Sequence, residues 1–406
     1  MLILNLKIEN YKIINTYKLI RGILMNNLPE KFDEFNEARR NGFITIKKLK
    51  DEGKKVVGVF CTYTPWEIIS ASGATVVALC GKNDEAIPDA EKVLPRNLCP
   101  LIKASYGFAI TEKCPYTYFS DLIVGETTCD GKKKMYEYLN DIRPVHVMQL
   151  PQISTGEDAY NLWRNEIVKL KERLEKDFNV EITEENIREM IKLRNKERQA
   201  LREFYELGRM CPPPVTGLEI MKVLNGASFK WDKEEEIKSL KDMIDNAKDK
   251  YEKGERKVSK DAKRILITGC PMGEGTEKII RLIEENDGNV VVFENCSGVK
   301  EIEKLVDEEK DPIDAIAEKY LAIGCSCMSP NTNRLNLLSE LIDDYKVDGV
   351  VDVILQACHT YNVETQSVKE FVNNEKNVPY MSIETDYSQT DIGQLKTRIA
   401  AFIEML

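Results

Sequence analysis

Short apolar runs that end at cysteine constrain this chain more than any other feature. Lys55-Val56-Val57-Gly58-Val59-Phe60 leads into Cys61, and Arg264-Ile265-Leu266-Ile267-Thr268-Gly269 leads into Cys270. In each half a Pro- or Gly-bearing turn, a helical stretch and a second apolar run follow. Those second runs are Ala74 to Leu79 before Cys80, and Val290 to Phe293 shortly before Cys296. Strand-length runs alternating with helical segments are the pattern of βαβ units around a parallel sheet. Ligands of such open sheets bind outside the carboxyl ends of the strands. Thiols delivered repeatedly to that edge suggest a metal or cluster site more than scattered core packing.

The same pattern organises the rest of the chain. Residues 1–53 read as a polar-rich helical segment, in which Met25, before Asn26-Asn27-Leu28-Pro29, is a second candidate initiator. Residues 54–156 form a first α/β domain, completed by Asp121 to Val124, a helix around Met135-Tyr136, and Val145 to Met148. Across 157–260 apolar residues recur at helical spacing, as at Trp163, Ile167, Leu170 and Leu174. Thr183 before Glu184-Glu185 predicts a helix start there. Cys211-Pro212-Pro213-Pro214 interrupts the helical run, because consecutive prolines cannot continue a helix. Residues 261–406 repeat the first plan: Val347 to Ile354 leads to Cys358 as Asp121 to Val124 leads to Cys129, and Pro379 to Ile383 matches Pro144 to Met148. The expected fold class is therefore α/β, with two Rossmann-like parallel-sheet domains, duplicated from one unit, and an intervening helical module.

Composition narrows the function classes. At 406 residues the chain suits two or three domains. A net charge of -10 and the lack of a basic-aromatic patch argue against a nucleic-acid partner. No apolar run approaches the roughly 20 residues of a membrane helix, and Lys7, Glu9 and Lys12 break the apolar opening too early for a signal peptide. A cytoplasmic location is expected. There, eleven cysteines, an odd count, are more naturally metal-binding or catalytic than disulfide-paired.

Cys61, Cys99 and Cys129 form the first candidate trio of thiolates, enough to hold a [4Fe-4S] cubane with one iron left open. Cys80, Cys114 and Cys211 are set apart as dispensable. The second half offers Cys270, Cys296, Cys325, Cys327 and Cys358. A Cys-x-Cys pair seldom sends both thiols to one cubane, so one of Cys325 and Cys327 is expected to ligate. Duplication favours Cys325 as the counterpart of Cys99, and Cys358 as that of Cys129. The third thiol is Cys296 or Cys270. The competing reading of any single cysteine is core packing, where free thiols are common. Zinc is the rival metal, yet the paired spacing of structural zinc sites is missing. Gly269-Cys270-Pro271-Met272-Gly273-Glu274-Gly275 loosely resembles a phosphate-binding loop but fits neither common pattern. Of the two histidines, His146 falls within a strand and reads as packed, whereas His359 beside Cys358 is a candidate to face the site. Glu67, on the helix after Cys61, is a candidate for proton handling or for capping that helix.

Several of these segments, taken together, resemble the 2-hydroxyacyl-CoA dehydratase family, and within it the single-subunit double-cubane cluster proteins. They are Gly58 to Pro65, Leu98-Cys99-Pro100-Leu101-Ile102-Lys103, Thr128 to Lys133, Cys358 to Glu364, and Ile383 to Ser388. The resemblance runs from about Met25 to Leu406. It implies two Rossmann-like domains around an iron-sulfur centre and a partner activator, an iron-sulfur ATPase that hydrolyses ATP to inject a low-potential electron. In the dehydratases that electron turns a 2-hydroxyacyl-CoA into a ketyl radical that expels hydroxide. The double-cubane branch joins two cubanes through a sulfide, an [8Fe-9S] centre needing six thiolates, and reduces small molecules. The leading expectation is a homodimeric, activator-dependent reductase holding that centre through Cys61, Cys99, Cys129, Cys296, Cys325 and Cys358, with Cys270 and Cys327 as alternates. The next is one subunit of a dehydratase acting on an acyl-CoA. A non-enzymatic electron carrier or scaffold, and a Rossmann-like binding protein with structural cysteines, complete the alternatives.

Overall fold

A computed structural model of the protein describes residues 28–406 apart from Ser228. Both candidate initiators, Met1 and Met25, lie outside the described residues. Eight strands form two all-parallel sheets. The first contains β1 (Val56–Val59), β2 (Thr75–Ala78), β3 (Leu122–Glu126) and β4 (Val145–Met148), in the order β2-β1-β3-β4. The second contains β5 (Lys263–Gly269), β6 (Gly288–Glu294), β7 (Gly349–Leu355) and β8 (Tyr380–Thr385), in the order β6-β5-β7-β8. The two orders are the same, as duplication of one unit requires. Parallel neighbours need crossovers, usually helical, that cover the faces of the sheet. That is why β3, β6 and β7 are buried at every position, including the polar Glu126, Asn289, Glu294 and Asp352 that they carry. In each sheet the strand order reverses beside the first strand, so a crevice opens between β1 and β3 and between β5 and β7.

The helical stretch between the sheets does not build a core of its own. In the helix Glu157–Phe178, Trp163, Ile167, Leu170 and Leu174 are all fully buried. They join the core of the first sheet together with Ile316 and Tyr320 from the second half. The next helix, Glu184–Glu206, starts at Thr183, whose side chain accepts from the Asn186 N–H in a reciprocal capping box. Its carboxyl-terminal residues Ala200, Leu201 and Phe204 pack into the core of the second sheet. The stretch therefore straps the two halves together. At the strap's centre, Arg198 pairs with Glu67 at 2.8 Å. The Tyr320 hydroxyl, itself receiving a hydrogen bond from Arg198 at 3.0 Å, donates to Glu67 at 2.8 Å. Breaking a buried ion pair typically costs about 3–5 kcal/mol, so this contact joins first half, strap and second half firmly.

One glycine is required by backbone conformation where β5 ends. Gly269 has φ +100°, and a Cβ there would stand 2.4 Å from the Val353 carbonyl oxygen of β7. Gly269→Ala is expected to destabilise the protein by at least about 1–3 kcal/mol from backbone strain alone, read as a lower denaturation midpoint. An unchanged midpoint would show that the β5–β7 edge can open without cost.

Candidate metal centre

The carboxyl edges of the two sheets face one cavity of about 740 Å³, and nine of the eleven cysteines line it. Strand geometry explains the placement. Cys61 follows β1 by two residues, Cys80 follows β2 by two and Cys129 follows β3 by three. Cys270, Cys296 and Cys358 follow β5, β6 and β7 by one, two and three. Cys99 stands between β2 and β3, and Cys325 with Cys327 between β6 and β7. Cys99, Cys129 and Cys358 are also the residues immediately before the helices Pro100–Ile110, Asp130–Leu139 and His359–Glu370. A helix amino terminus favours a thiolate over a thiol.

The thiols interact most strongly across the halves. The neighbouring Cys270 and Cys99 thiols hold Cys358 far below the usual thiol range. Cys99, Cys270 and Cys358 thus form one group, with Cys129 close enough to feel the Cys358 charge. In the second group, the neighbouring Cys327 thiol pulls Cys325 down, helped by Lys300. Cys61 and Cys296 adjoin this pair, and burial pushes both thiols up. The Thr62 hydroxyl reaches the Cys296 sulfur at 3.8 Å. Each group draws thiols from both sheets, although they are far apart in sequence.

Buried cations stand beside the second group, and one of them, Lys132, also acts on Cys129 of the first. Lys132 lies beside Cys61, donating to the Phe60 carbonyl at 3.3 Å. Glu126, at the end of β3 and hydrogen-bonded by Thr64, is pushed up to about 7 by burial, against the pull of Lys132. On the other side Lys300 pairs with Glu294 at 3.1 Å and lies near Cys296 and Cys325. These lysines oppose the negative charge that thiolates bring.

The donor set fits an iron-sulfur cluster. Such clusters are held by cysteine thiolates, and thiols from both halves meet here; burial raises most of them, Cys325 and Cys358 are lowered, and the nearby lysines oppose the effect of burial. Among the described residues, no three His, Cys, Asp or Glu side chains close on a position for a single metal ion. A polynuclear cluster distributes its ligands over several metals and does not need such a point. Cys61, Cys99, Cys129, Cys296, Cys325 and Cys358 all line the cavity, as do the alternates Cys270 and Cys327. His359 lines it too, with an exposed side chain, while His146 lies in β4. Glu67 is not among the lining residues: it is fully buried in the ion pair with Arg198 described above.

Three features go beyond the expectations from sequence. Cys80 lines the cavity, its thiol donating to the Phe60 carbonyl at 3.1 Å. The signal was available, because Cys80 stands as far beyond β2 as Cys296 does beyond β6. The glycine-rich segment after β5 is not an open phosphate cradle. The Gly273 N–H donates to Thr276 Oγ1 at 2.9 Å and the Gly275 N–H to the Lys82 carbonyl at 2.7 Å. Finally, the cavity carries Lys82 and Lys132 on its walls; Lys132 lies in the segment Thr128 to Lys133, whereas nothing in the local sequence of Lys82 marks it out. Cys114 and Cys211 lie outside the cavity lining.

Residues 61–406 match the family described as 2-hydroxyglutaryl-CoA dehydratase, D-component. The Escherichia coli protein named "Putative dehydratase subunit YjiM" is 55% identical over 383 residues, 94% of this chain and 100% of the relative. The beta subunit of (R)-phenyllactyl-CoA dehydratase from Clostridium sporogenes is 25% identical, covering 94% of this chain and 100% of its own length. One of the subunits of benzoyl-CoA reductase from Thauera aromatica is 20% identical, covering 88% and 92%.

Proposed function

We propose, from the premise that this chain belongs to the 2-hydroxyglutaryl-CoA dehydratase D-component family, that it is an iron-sulfur enzyme of low-potential reductive chemistry. The relatives from Clostridium sporogenes and Thauera aromatica are a dehydratase subunit and a reductase subunit. The observation that carries the iron-sulfur reading is the convergence of cysteines from both sheets on one cavity. Cys61, Cys99, Cys129, Cys296, Cys325 and Cys358 would hold the cluster, with Cys270 and Cys327 as further candidates. Bound there, the cluster supplies a site for single-electron transfer.

The chain's own residues do the rest. Helix amino termini at Cys99, Cys129 and Cys358, and the ammonium groups of Lys132 and Lys300, lower the cost of bringing several negative charges together. Val76, Ala78, Leu98 and Leu101 give the cavity an apolar wall that limits water around a bound substrate. Electrons would come from a separate ATP-hydrolysing iron-sulfur activator, which supplies the driving force that ordinary donors lack. The double-cubane reductase, working as a homodimer, is favoured by the supply of thiols from both halves, since a single cubane needs only one trio. The dehydratase-subunit reading is favoured by the names of the relatives, above all the one at 55% identity.

Anaerobic purification with iron and sulfide analysis separates these readings. About eight irons per chain is the expected result for the double cubane, and about four for a single cubane. Stoichiometric zinc without iron would overturn both. Turnover assays with dithionite, ATP and the activator, added separately and together, then distinguish acetylene reduction from enoyl-CoA formation. Equal turnover without ATP would remove the activator from the scheme. Among the described residues, no helix is long and apolar enough to cross a membrane, so the assays need no detergent for a membrane span there.

A further inference from the structure

We propose that Lys82 binds the carbonyl oxygen of a thioester substrate, its ammonium facing the thiol-lined cavity and held in place by Asn225, Ser297 and a slot at Gly273. The inference rests on the acyl-CoA reading above and names the residue that would recognise the reacting group.

Lys82 follows Cys80 by two residues and lines the same cavity. Its Nζ donates to Asn225 Oδ1 at 2.7 Å and to Ser297 Oγ at 3.3 Å. A lysine ammonium carries three donor hydrogens, so one remains for a ligand. The other cations on the cavity wall have acidic neighbours. Arg194 pairs with Glu197 and Glu301, Lys233 with Glu197 at 3.0 Å and Glu236 at 2.9 Å, and Lys132 lies beside Glu126. Lys82 makes no ion pair among the described residues.

The position is built rather than incidental. A Cβ at Gly273 would stand 2.3 Å from Lys82 Cδ and 2.7 Å from its Cβ. Gly273 is extended, with φ −175°, so glycine serves there for space and not for conformation. The Gly275 N–H donates to the Lys82 carbonyl at 2.7 Å, and Asn83 donates to Glu274 at 2.9 Å. The segment around Lys82, from the first half, is thus clamped by the glycine-rich loop of the second. A ligand with an apolar tail and one oxygen acceptor suits a wall of Val76, Ala78, Leu98 and Leu101 with a single unneutralised donor. When a thioester carbonyl accepts one electron, supplied here by the activator, the negative charge develops on its oxygen. A fixed ammonium donor acts most strongly where charge develops.

The test uses the full-length, anaerobically purified protein and two probes, butyryl-CoA and the thioether S-butyl-CoA, which lacks the carbonyl. Lys82→Gln is expected to weaken butyryl-CoA binding about tenfold, the scale of one hydrogen bond to a charged group, with S-butyl-CoA binding and iron content unchanged. Lys82→Arg should restore most of the loss. Gly273→Ala should weaken butyryl-CoA binding by crowding Lys82 out of its slot, and should add nothing in a Lys82→Ala background. Equal weakening of both probes, loss of iron in Lys82→Gln, or failure of butyryl-CoA to bind the unaltered protein would each overturn the assignment. An iron-free protein that still shows the Lys82-dependent preference for butyryl-CoA would sustain this inference while refuting the iron-sulfur reading.

Discussion

Cys358→Ala protein, purified anaerobically, is expected to lose its iron and its visible absorption while remaining folded. Cys358 is the thiol on which the first group is organised: the neighbouring Cys270 and Cys99 thiols both lower it, and the helix His359–Glu370 begins at the next residue. Removing it takes away the sulfur most strongly disposed to carry negative charge in that group. It also leaves Cys99 and Cys270 without their shared partner. The side chain is only partly buried, so the cavity left behind is small and the protein fold should survive. Cys99→Ala and Cys129→Ala should behave alike, because each removes a thiol whose sequence position is fixed at a helix start. Cys114→Ala is the control, since Cys114 precedes the short helix Pro115–Phe119 away from the cavity lining. Iron content, electron paramagnetic resonance and far-ultraviolet circular dichroism together decide the matter. Full iron and an unchanged spectrum in Cys358→Ala would exclude Cys358 as a ligand.

The largest effect on stability is expected at Arg334. Its guanidinium is fully buried and bridges three carboxylates from separate elements: Glu294 of β6 at 3.3 Å, Asp352 of β7 at 3.7 Å, and Glu364. It also donates to the Thr268 hydroxyl of β5 at 2.7 Å. Arg334→Met would leave three acidic groups around a vacated charge. Removing one partner of a buried pair costs about 3–5 kcal/mol, and the three-fold pairing places this site at the upper end of that range. Glu294 lies two residues before Cys296, and Glu364 lies on the helix that follows Cys358, so loosening Arg334 should also disturb the thiols. A chemical denaturation series on the metal-loaded protein should show a much lower midpoint for Arg334→Met. Arg334→Lys should recover part of the loss through its charge but not the forked geometry. A midpoint for Arg334→Met within about 1 kcal/mol of the unaltered protein would show that this network contributes little.

Much of the architecture was legible because it is written locally. Each apolar run from Lys55 to Ile383 that reads as a strand became one, with boundaries displaced by only a few residues. A strand's inward residues, the turn that ends it and the cysteine just beyond are neighbours along the chain, so periodicity and spacing report them directly. The spacing of Trp163, Ile167, Leu170 and Leu174 marked a buried helix face for the same reason, and Thr183 marked a helix start. The parallel arrangement also followed from sequence, since strands separated by helical crossovers can hardly pair otherwise.

Only the tertiary structure decided what those elements face. Which thiols become neighbours depends on how two sheets pack, and no local pattern sets the approach of Cys99 to Cys358 or of Cys61 to Cys296. Glu67 shows the same limit. Its place on the helix after Cys61 suggested proton handling or a helix cap, and no local pattern shows that Arg198 and Tyr320, each more than a hundred residues away along the chain, hold its carboxylate in a buried ion pair. The glycines after β5 suggested a phosphate loop, but Gly273 makes room for Lys82 from the other half. Sequence by itself determined two parallel sheets with thiols at their carboxyl edges, because backbone hydrogen bonding and side-chain alternation act over a few residues. The meeting of those edges on one cavity, and the sharing of its thiols between halves, arise from the burial of apolar surface between distant segments, which only the folded chain brings together.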